Sequence, residues 1–326
     1  MDINLLKQMI SQGATTAQKL LASGMDVNCL RTNAALRQDE WKVLDTAIIT
    51  QAQNRLVVVK DVLSRGLTFN LANGLGTTIL ESENIGDMNA AQVSMDGVTR
   101  GQSDTVNYEV VGLPLPLIHK DYQIPIRKLN ASRNRGEALD TTQAGLSSRK
   151  VADIAEDMLL NGYSMTYGGY VIYGYTNHPN RNTVTLSVDW DASAKTGKQI
   201  VDDILGMKQA LIADKFFGPF ALYVPTAYET RLDEDYSDAK GSNTVRERIL
   251  AIKGIASVEV VDHMTANNVI LVQMTEDVVR EVIGLPLTNV EWESQGGMIF
   301  KFKVMEIMVP QIRADQAGNC GIAHLA

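Results

Sequence analysis

Between Thr141 and Asn180 an amphipathic helix runs into a glycine- and tyrosine-rich region that closes on Asn177-His178-Pro179-Asn180, and no other stretch constrains the fold as tightly. Val151, Ile154, Ala155, Met158 and Leu159 recur at i, i+3, i+4, i+7 and i+8, which puts all five on one helical face. Arg149, Lys150, Asp153, Glu156 and Asp157 take the other side. Asp140, Thr141 and Thr142 are N-cap residue types, and Asn161-Gly162 tolerates the left-handed conformation that stops a helix. The pattern predicts a helix of about five turns over about 142–160. After it come Gly162-Tyr163, Tyr167-Gly168-Gly169-Tyr170 and the run from Ile172 through Tyr173, Gly174 and Tyr175 to Asn180.

That succession resembles the major capsid proteins of tailed bacteriophages and, more distantly, the encapsulins that share their fold. In that family a long spine helix leads through a glycine-containing strand into an Asn-His-Pro-Asn-like turn. The likeness is specific at Gly174 to Asn180 and topological elsewhere, over roughly residues 110 to 313. A helix followed by a turn-rich, tyrosine-bearing strand pair also occurs in many α+β domains, so the flanking segments carry the decision.

A chain of 326 residues can bury about three quarters of the surface its unfolded form exposes, enough for one large or two modest domains. Cys29 and Cys320 are too few and too far apart for a disulfide framework or a zinc site, and both are expected to be reduced thiols. There is no apolar run of spanning length, and the N-terminus lacks a basic region followed by an apolar one; neither membrane spanning nor export by that route is expected. The formal net charge of -8 argues against a free, sequence-reading nucleic-acid binder. The charge is uneven, however. Between His119 and Lys150 lie seven basic residues (Lys120, Arg127, Lys128, Arg133, Arg135, Arg149, Lys150) and three acidic ones (Asp121, Glu137, Asp140), a local balance of +4. Such a segment suits packaged DNA, a neighbour's acidic surface, or simply a solvated loop.

Residues 1–73 read as weakly amphipathic helices: Leu5, Leu6, Met9 and Ile10, then Leu20 and Leu21, then a longer face through Leu44, Ala47, Ile48 and Gln51 toward Leu56. Pieces of this kind bury little alone and want a partner surface, and the arm that begins at Met1 is expected to be retained. Residues 74–112 turn polar and alternate with period two around Asp96-Gly97, which predicts a hairpin with little core of its own. By position the two segments are similar to the family's N-terminal arm and extended loop, both of which lie on neighbouring subunits. Leu113 to Ile126 is extended chain punctuated by Pro114, Pro116 and Pro125.

Beyond the Asn-His-Pro turn a strand is expected over Thr183–Trp190. Capping boxes at Thr196/Gln199 and Thr244/Glu247 open two helices, the first burying Val201, Ile204, Leu205, Leu211 and Ile212. Phe220–Val224, Val258–Val261 and Val269–Val272 read as strands of one mixed domain, and Ile299–Val309 as a last long strand.

Catalytic motifs are lacking: no phosphate loop, no dinucleotide fingerprint, no His-Glu-x-x-His and no nucleophile elbow. His178 is the one catalytic suspect, although a turn histidine holding its loop suits the context better. Asp153, Glu156 and Asp157 could hold a cation, but beside Arg149 and Lys150 they read as a solvated, salt-bridged face, and Asp202-Asp203 reads the same way. The acidic loop from Asp233 to Asp238 lacks the glycine and bidentate glutamate of a calcium loop. Tyr163, Tyr167, Tyr170, Tyr173 and Tyr175 lack the interleaved cations of a base-stacking surface. No catalytic, cofactor-binding or metal site is therefore expected, and no enzyme activity.

The resemblance implies an α+β, Hong Kong 97-type fold: an N-terminal arm (1–73), an extended β-loop (74–112), a peripheral domain around the spine helix (113–189), an axial domain (190–295), and a strand returning to the peripheral domain with a C-terminal tail (296–326). The implied function is a virion shell, assembled in a bacterial host's cytoplasm from pentamers and hexamers around double-stranded DNA. Its implied partners are further copies of itself together with portal, scaffold and decoration proteins. Residues 77–110, on an adjacent subunit, and 233–243, near the capsomer axis, are the expected contacts. An encapsulin-type compartment around a cargo enzyme is the nearest alternative; an enzyme built on the axial domain is the alternative from another class. A Lys–Asn crosslink occurs in one branch of the family, but no local motif here supports it.

Overall fold

The computed structural model describes residues 38–85, 108–135, 141–237, 243–294 and 298–326, with Met88, Val93, Met95 and Thr105 as isolated points. The apolar faces around Leu5 and Leu20, Cys29, the hairpin tip at Asp96-Gly97, and Asp140 lie outside the described residues. In chain order the elements are α1 (Gln38–Arg55), α2 (Val58–Ser64), β1 (Thr68–Asn70), β2 (Ile79–Ile85), β3 (Tyr108–Pro114), β4 (Ile118–Pro125), α3 (Ile126–Arg135) and α4 (Thr142–Asn161). There follow β5 (Tyr163–Tyr167), β6 (Tyr170–Ile172), β7 (Asn182–Val184), α5 (Gly197–Ala213), β8 (Phe220–Pro225), α6 (Glu229–Leu232) and α7 (Val245–Leu250). The last are β9 (Ile255–Val261), β10 (Val269–Gln273), β11 (Val279–Ser294), β12 (Ile299–Ile312) and β13 (Ile322–Leu325).

Two sheets organise these elements. A four-stranded sheet runs β1-β11-β12-β4, and a five-stranded one runs β7-β13-β10-β8-β9. In the second sheet the side chains of β8 and β10 divide with period two. Ala221, Tyr223, Ile270 and Val272 enter the core shared with the four-stranded sheet, while Phe220, Leu222, Val224, Val269 and Leu271 enter the core beneath α5. Both faces are thus dry, which explains why these strands read as unbroken apolar runs.

α4 is the predicted spine helix, within a residue of the predicted bounds. Thr141 sits at the N-cap position but makes no side-chain cap, and Gly162 ends the helix with φ +71°. The turn beyond finishes the helix chemically: the N–H groups of Tyr175 and Thr176 donate to the carbonyls of Leu159 and Leu160 at 3.0 and 2.8 Å. This return needs close backbone approach. A Cβ at Gly174 would lie 2.3 Å from the nitrogen of Gly162, and one at Gly162 would lie 2.7 Å from the carbonyl oxygen of Ile172.

The buried arc of α4 is wider than the apolar pattern predicts. Val151, Ala155, Met158 and Leu159 are buried as expected, but Ile154 is 41% exposed and Glu156 is fully buried. The helix is covered on two sides, by α1 and the four-stranded sheet on one and by α2 on the other. The dry arc therefore extends past the apolar stripe to Ala152, Glu156 and Leu160 and leaves Ile154 on the wet edge.

Other departures share a cause, contacts distant in sequence. Residues 38–64 do not stay loose. Trp41, Leu44 and Ile48 enter the core under the four-stranded sheet, and Val58, Val59 and Val62 are completely buried in the core between the sheets. The strand expected over 183–190 is only Asn182–Val184, and Trp190 instead plugs the core of the five-stranded sheet. On α5, Ile200 and Met207 are buried where Leu205 was expected, and Leu205 is 43% exposed. The 16-residue β11 is absent from the sequence expectation; it leaves the axial segment 190–295 and pairs with β12 and β1 in the four-stranded sheet. In exchange β13, from the expected C-terminal tail, pairs antiparallel with β10 inside the five-stranded sheet.

Candidate functional site

The His178 turn is a clamp. Asn177 Oδ1 accepts from the Gly174 N–H at 2.7 Å, and His178 Nδ1 accepts from the Asn180 N–H at 3.3 Å. Tyr173 meets the imidazole edge-on at 5.6 Å. Burial, with the Arg181 guanidinium beside it, lowers the His178 pKa to about 4, so at neutral pH the ring is uncharged. Arg181 donates to the His178 carbonyl at 2.9 Å and to His324 Nδ1 at 3.2 Å. His324 lies 2.7 Å from Asn268 Oδ1 through Nε2; with Nδ1 accepting from arginine, Nε2 carries the proton. Its pKa is likewise lowered to about 4 by burial and Arg181. His178 holds the turn from within, and Arg181, bonded to both the His178 carbonyl and the His324 ring, ties the turn to β13.

The spine carboxylates separate rather than converge. Glu156 accepts from the N–H groups of Val57, Val58 and Val59 at 3.1, 2.7 and 3.1 Å, so it caps α2 from a helix nearly a hundred residues away. Burial raises its pKa while those three hydrogen bonds pull it down. Asp153 faces Lys150 at 3.4 Å and His263 at 3.5 Å, and Asp157 accepts from Asn161 at 2.7 Å. Asp203 accepts from Trp190 Nε1 at 2.9 Å and pairs with the buried Lys195 at 2.6 Å. In the acidic loop Asp233 pairs with Arg246 at 3.2 Å and Glu234 with Arg231. Among the described residues no group of His, Cys, Asp and Glu could hold a metal ion. The tyrosines do not share a surface either: Tyr163, Tyr167 and Tyr173 are exposed, whereas Tyr175 is fully buried against Tyr223.

Glu281, Glu291 and Glu306, buried on β11 and β12, were not singled out by the sequence reading. Glu281 on β11 is fully buried, and neither of its oxygens has a hydrogen-bond partner among the described residues. Burial, then Glu156 and Glu306, raise its pKa well above the carboxylate range. Burial raises Glu306 on β12 to about 7. The alternation of β11 breaks around Gly284 and Pro286, which hid Glu281, whereas Glu306 shares the parity of Phe300, Phe302 and Val304 on β12 and goes inward with them.

What remains unsatisfied is surface. β2 and β3 form a hairpin paired from Ile79↔Pro114 to Ile85↔Tyr108. Its base is fastened: Gln311 Nε2 donates to Ser82 Oγ and Gln316 Nε2 to the Asn84 carbonyl, each at 3.1 Å. On the strand opposite these fastenings Tyr108, Val110 and Val111 are exposed by 58%, 54% and 38%. Leu113 and Leu80 join the core under the four-stranded sheet, and a cleft of about 530 Å³ opens between Asn84, Val111, Tyr173, Pro179 and the 310–318 segment. Tyr108, Val110 and Val111 thus form an exposed apolar stretch on a two-stranded ribbon.

The sequence pattern of a family of unknown function, DUF6260, matches residues 31–325. No curated protein matches the sequence. Solved structures do. The virus-like particle of Pyrococcus furiosus matches with a TM-score of 0.63 at 18% identity, over 87% of this chain and 98% of that one. The capsid of Myoviridae phage XM1 matches with a TM-score of 0.61 at 11% identity, over 81% and 90%. The capsid of a native GTA particle matches with a TM-score of 0.57 at 13% identity, over 83% and 91%. The fold is therefore the α+β, Hong Kong 97-type fold that the spine helix and its turn suggested.

Proposed function

The chain belongs to the DUF6260 family, and we propose that it is the major subunit of a phage-type capsid, assembling through pentamers and hexamers into an icosahedral shell around double-stranded DNA. The observation that carries this reading is the β2–β3 hairpin, which exposes Tyr108, Val110 and Val111 on a fold otherwise well filled. The exposed apolar stretch of this hairpin is stabilised when it lies on another copy, so ordering of that segment is linked to assembly. In this reading residues 74–112 are the extended loop that lies on a neighbour. The basic stretch from Lys120 to Lys150 contacts packaged DNA without sequence preference. The subunit acts as a structural component of a virion, formed in the host cytoplasm with portal, scaffold and decoration proteins.

The likeness to a virus-like particle favours one second reading, an encapsulin-type compartment around a protein cargo. Negative-stain imaging and sedimentation of the purified full chain test both. Closed particles of megadalton mass are expected, with nuclease-protected DNA when neighbouring phage genes are co-expressed. A protein-filled lumen selects the second reading, and a stable solitary subunit at every concentration removes both.

A further inference from the structure

We propose that Glu281 is a proton-controlled latch on residues 57–70, which stay docked on the body while its carboxyl is protonated and open when it ionises. The segment holds α2 and β1, and both of its ends meet this glutamate. At the far end the Glu281 N–H donates to the Leu67 carbonyl at 2.9 Å, and β1 pairs parallel with β11 from Thr68↔Glu281 to Asn70↔Ile283. Val279 and Ile283, two positions to either side of Glu281 on β11, pack in the same core as Val58, Val59 and Val62 of α2, and strand parity sends the Glu281 side chain the same way. At the near end Glu156 caps the first amides of α2. After burial itself, Glu156 is the group that most opposes a charge on Glu281. The latch therefore acts on the residue that holds the start of the segment and on the strand that holds its end.

The surroundings tolerate a neutral carboxyl and oppose a charged one. Glu281 and the hydroxyl of Tyr175 are both fully buried, and among the described residues neither has a hydrogen-bond partner for its side-chain oxygens. Glu156 from α4 and Glu306 from β12 are carboxylates themselves. On α2, Asp61 accepts from the Tyr223 hydroxyl of β8 at 2.9 Å and holds Arg65 at 2.9 Å, and Arg65 also donates to Ser257 at 2.8 Å. His263, which acts on Glu156, faces Asp153 and Asp262 at 3.5 and 3.9 Å. These cations are engaged elsewhere, so an ionised Glu281 would be a second buried anion beside Glu156. Burial, Glu156 and Glu306 all make the docked carboxyl hold its proton more tightly, whereas opening hydrates it and returns it to its ordinary value of 4.5. Docking thus takes up a proton: its stabilisation is complete below the ordinary value and is lost as pH climbs toward the raised one.

Hydrogen exchange of the full chain, read by mass spectrometry from about pH 5 to about pH 9 and corrected for the intrinsic exchange rate, tests the latch. One proton released on opening makes the opening constant of residues 57–70 rise by up to about tenfold per pH unit, while β8 and β10 are expected to stay protected. Glu281→Gln keeps the shape and cannot ionise, and Glu281→Met also removes the buried polar group; in either variant the pH dependence of residues 57–70 is expected to vanish. Glu306→Gln takes away one neighbouring charge and is expected to keep it. Exchange of residues 57–70 that does not respond to pH in the wild type overturns the latch. So does an equal loss of protection in β8 and β10, or a pH dependence that survives in the Glu281 variants.

Discussion

The α1–α2 segment and the β2–β3 hairpin look alike in sequence, weakly patterned pieces ahead of the spine helix, yet the fold treats them oppositely. Helices α1 and α2 are absorbed into the body: Trp41 meets Phe302 edge-on at 6.3 Å, Ser148 Oγ donates to the Ile48 carbonyl at 2.6 Å, and Glu156 caps α2. The hairpin is held to the body by polar fastenings at Ser82 and Asn84, while on its other strand Tyr108 and Val110 stay more than half exposed. A weak amphipathic pattern therefore does not mean a missing core. What separates the two is whether the rest of the chain supplies complementary groups, and that depends on residues a hundred positions away.

Truncating Trp41 should break the comparison most visibly. Trp41→Ala removes a 5% exposed indole from the core under the four-stranded sheet, and the expected loss is about 3–5 kcal/mol. Urea unfolding of the dilute subunit should show the midpoint falling with the slope unchanged. A midpoint shifted no more than that of a surface variant would mean that α1 is an arm after all.

Next in size is the response to pH, which acts on the body and spares the hairpin. Glu306 has a folded pKa of about 7 against an ordinary value of 4.5, and Glu281 is raised further. A raised carboxylate pKa means that the folded state binds the proton more tightly. Its stabilisation is present below about pH 4.5 and is lost as pH climbs toward the folded value. For Glu306 the loss is on the order of 3 kcal/mol, complete a little above pH 7. Thermal melts should fall between pH 5 and 8, and Glu281→Gln with Glu306→Gln should flatten the slope. An unchanged slope in that variant would place the titration elsewhere.

Glu156→Ala comes third. It strands the N–H groups of Val57, Val58 and Val59 in the interior, a cost of roughly 2 kcal/mol or somewhat more. Glu156→Gln keeps one acceptor oxygen and should lose less. Hydrogen exchange at the first turn of α2 reads this directly: protection should drop there before it drops in α4. Equal effects of the two variants would show that the carboxylate is not acting as a cap.

Local chemistry was legible and distant pairing was not. The spine helix, both capping boxes and the apolar strands β8 and β10 were readable because each is specified within about ten residues: Thr196 with Gln199, Thr244 with Glu247, and unbroken runs such as Val269–Val272. β11 was hidden because Gly284 and Pro286 interrupt its alternation, and the pairing with β12 shifts register on both sides of Leu285. β13 is four residues long and is defined by its neighbours β10, some fifty positions earlier, and β7, earlier still. Glu156 was misplaced because its partners, the bare amides of α2, leave no trace in side-chain identity. At the surface, the exposed hairpin was legible from composition.

The smallest expected effect on the subunit sharpens the comparison most. Val110 is 54% exposed on β3 and touches no core cluster of its own chain, so Val110→Asp should change subunit stability by less than about 0.5 kcal/mol. Shell formation should nonetheless fail, because a charge would then have to be buried where the hairpin covers another copy. The pair of measurements must dissociate: an unchanged melting curve for the dilute subunit and a particle peak missing from sedimentation. The same two measurements on Trp41→Ala should give the inverse, a lowered melt with particles still forming at temperatures below it. If Val110→Asp lowers the melt of the solitary subunit as much as Trp41→Ala does, the hairpin belongs to the body. The distinction between a segment completed in cis and one completed in trans would then be lost.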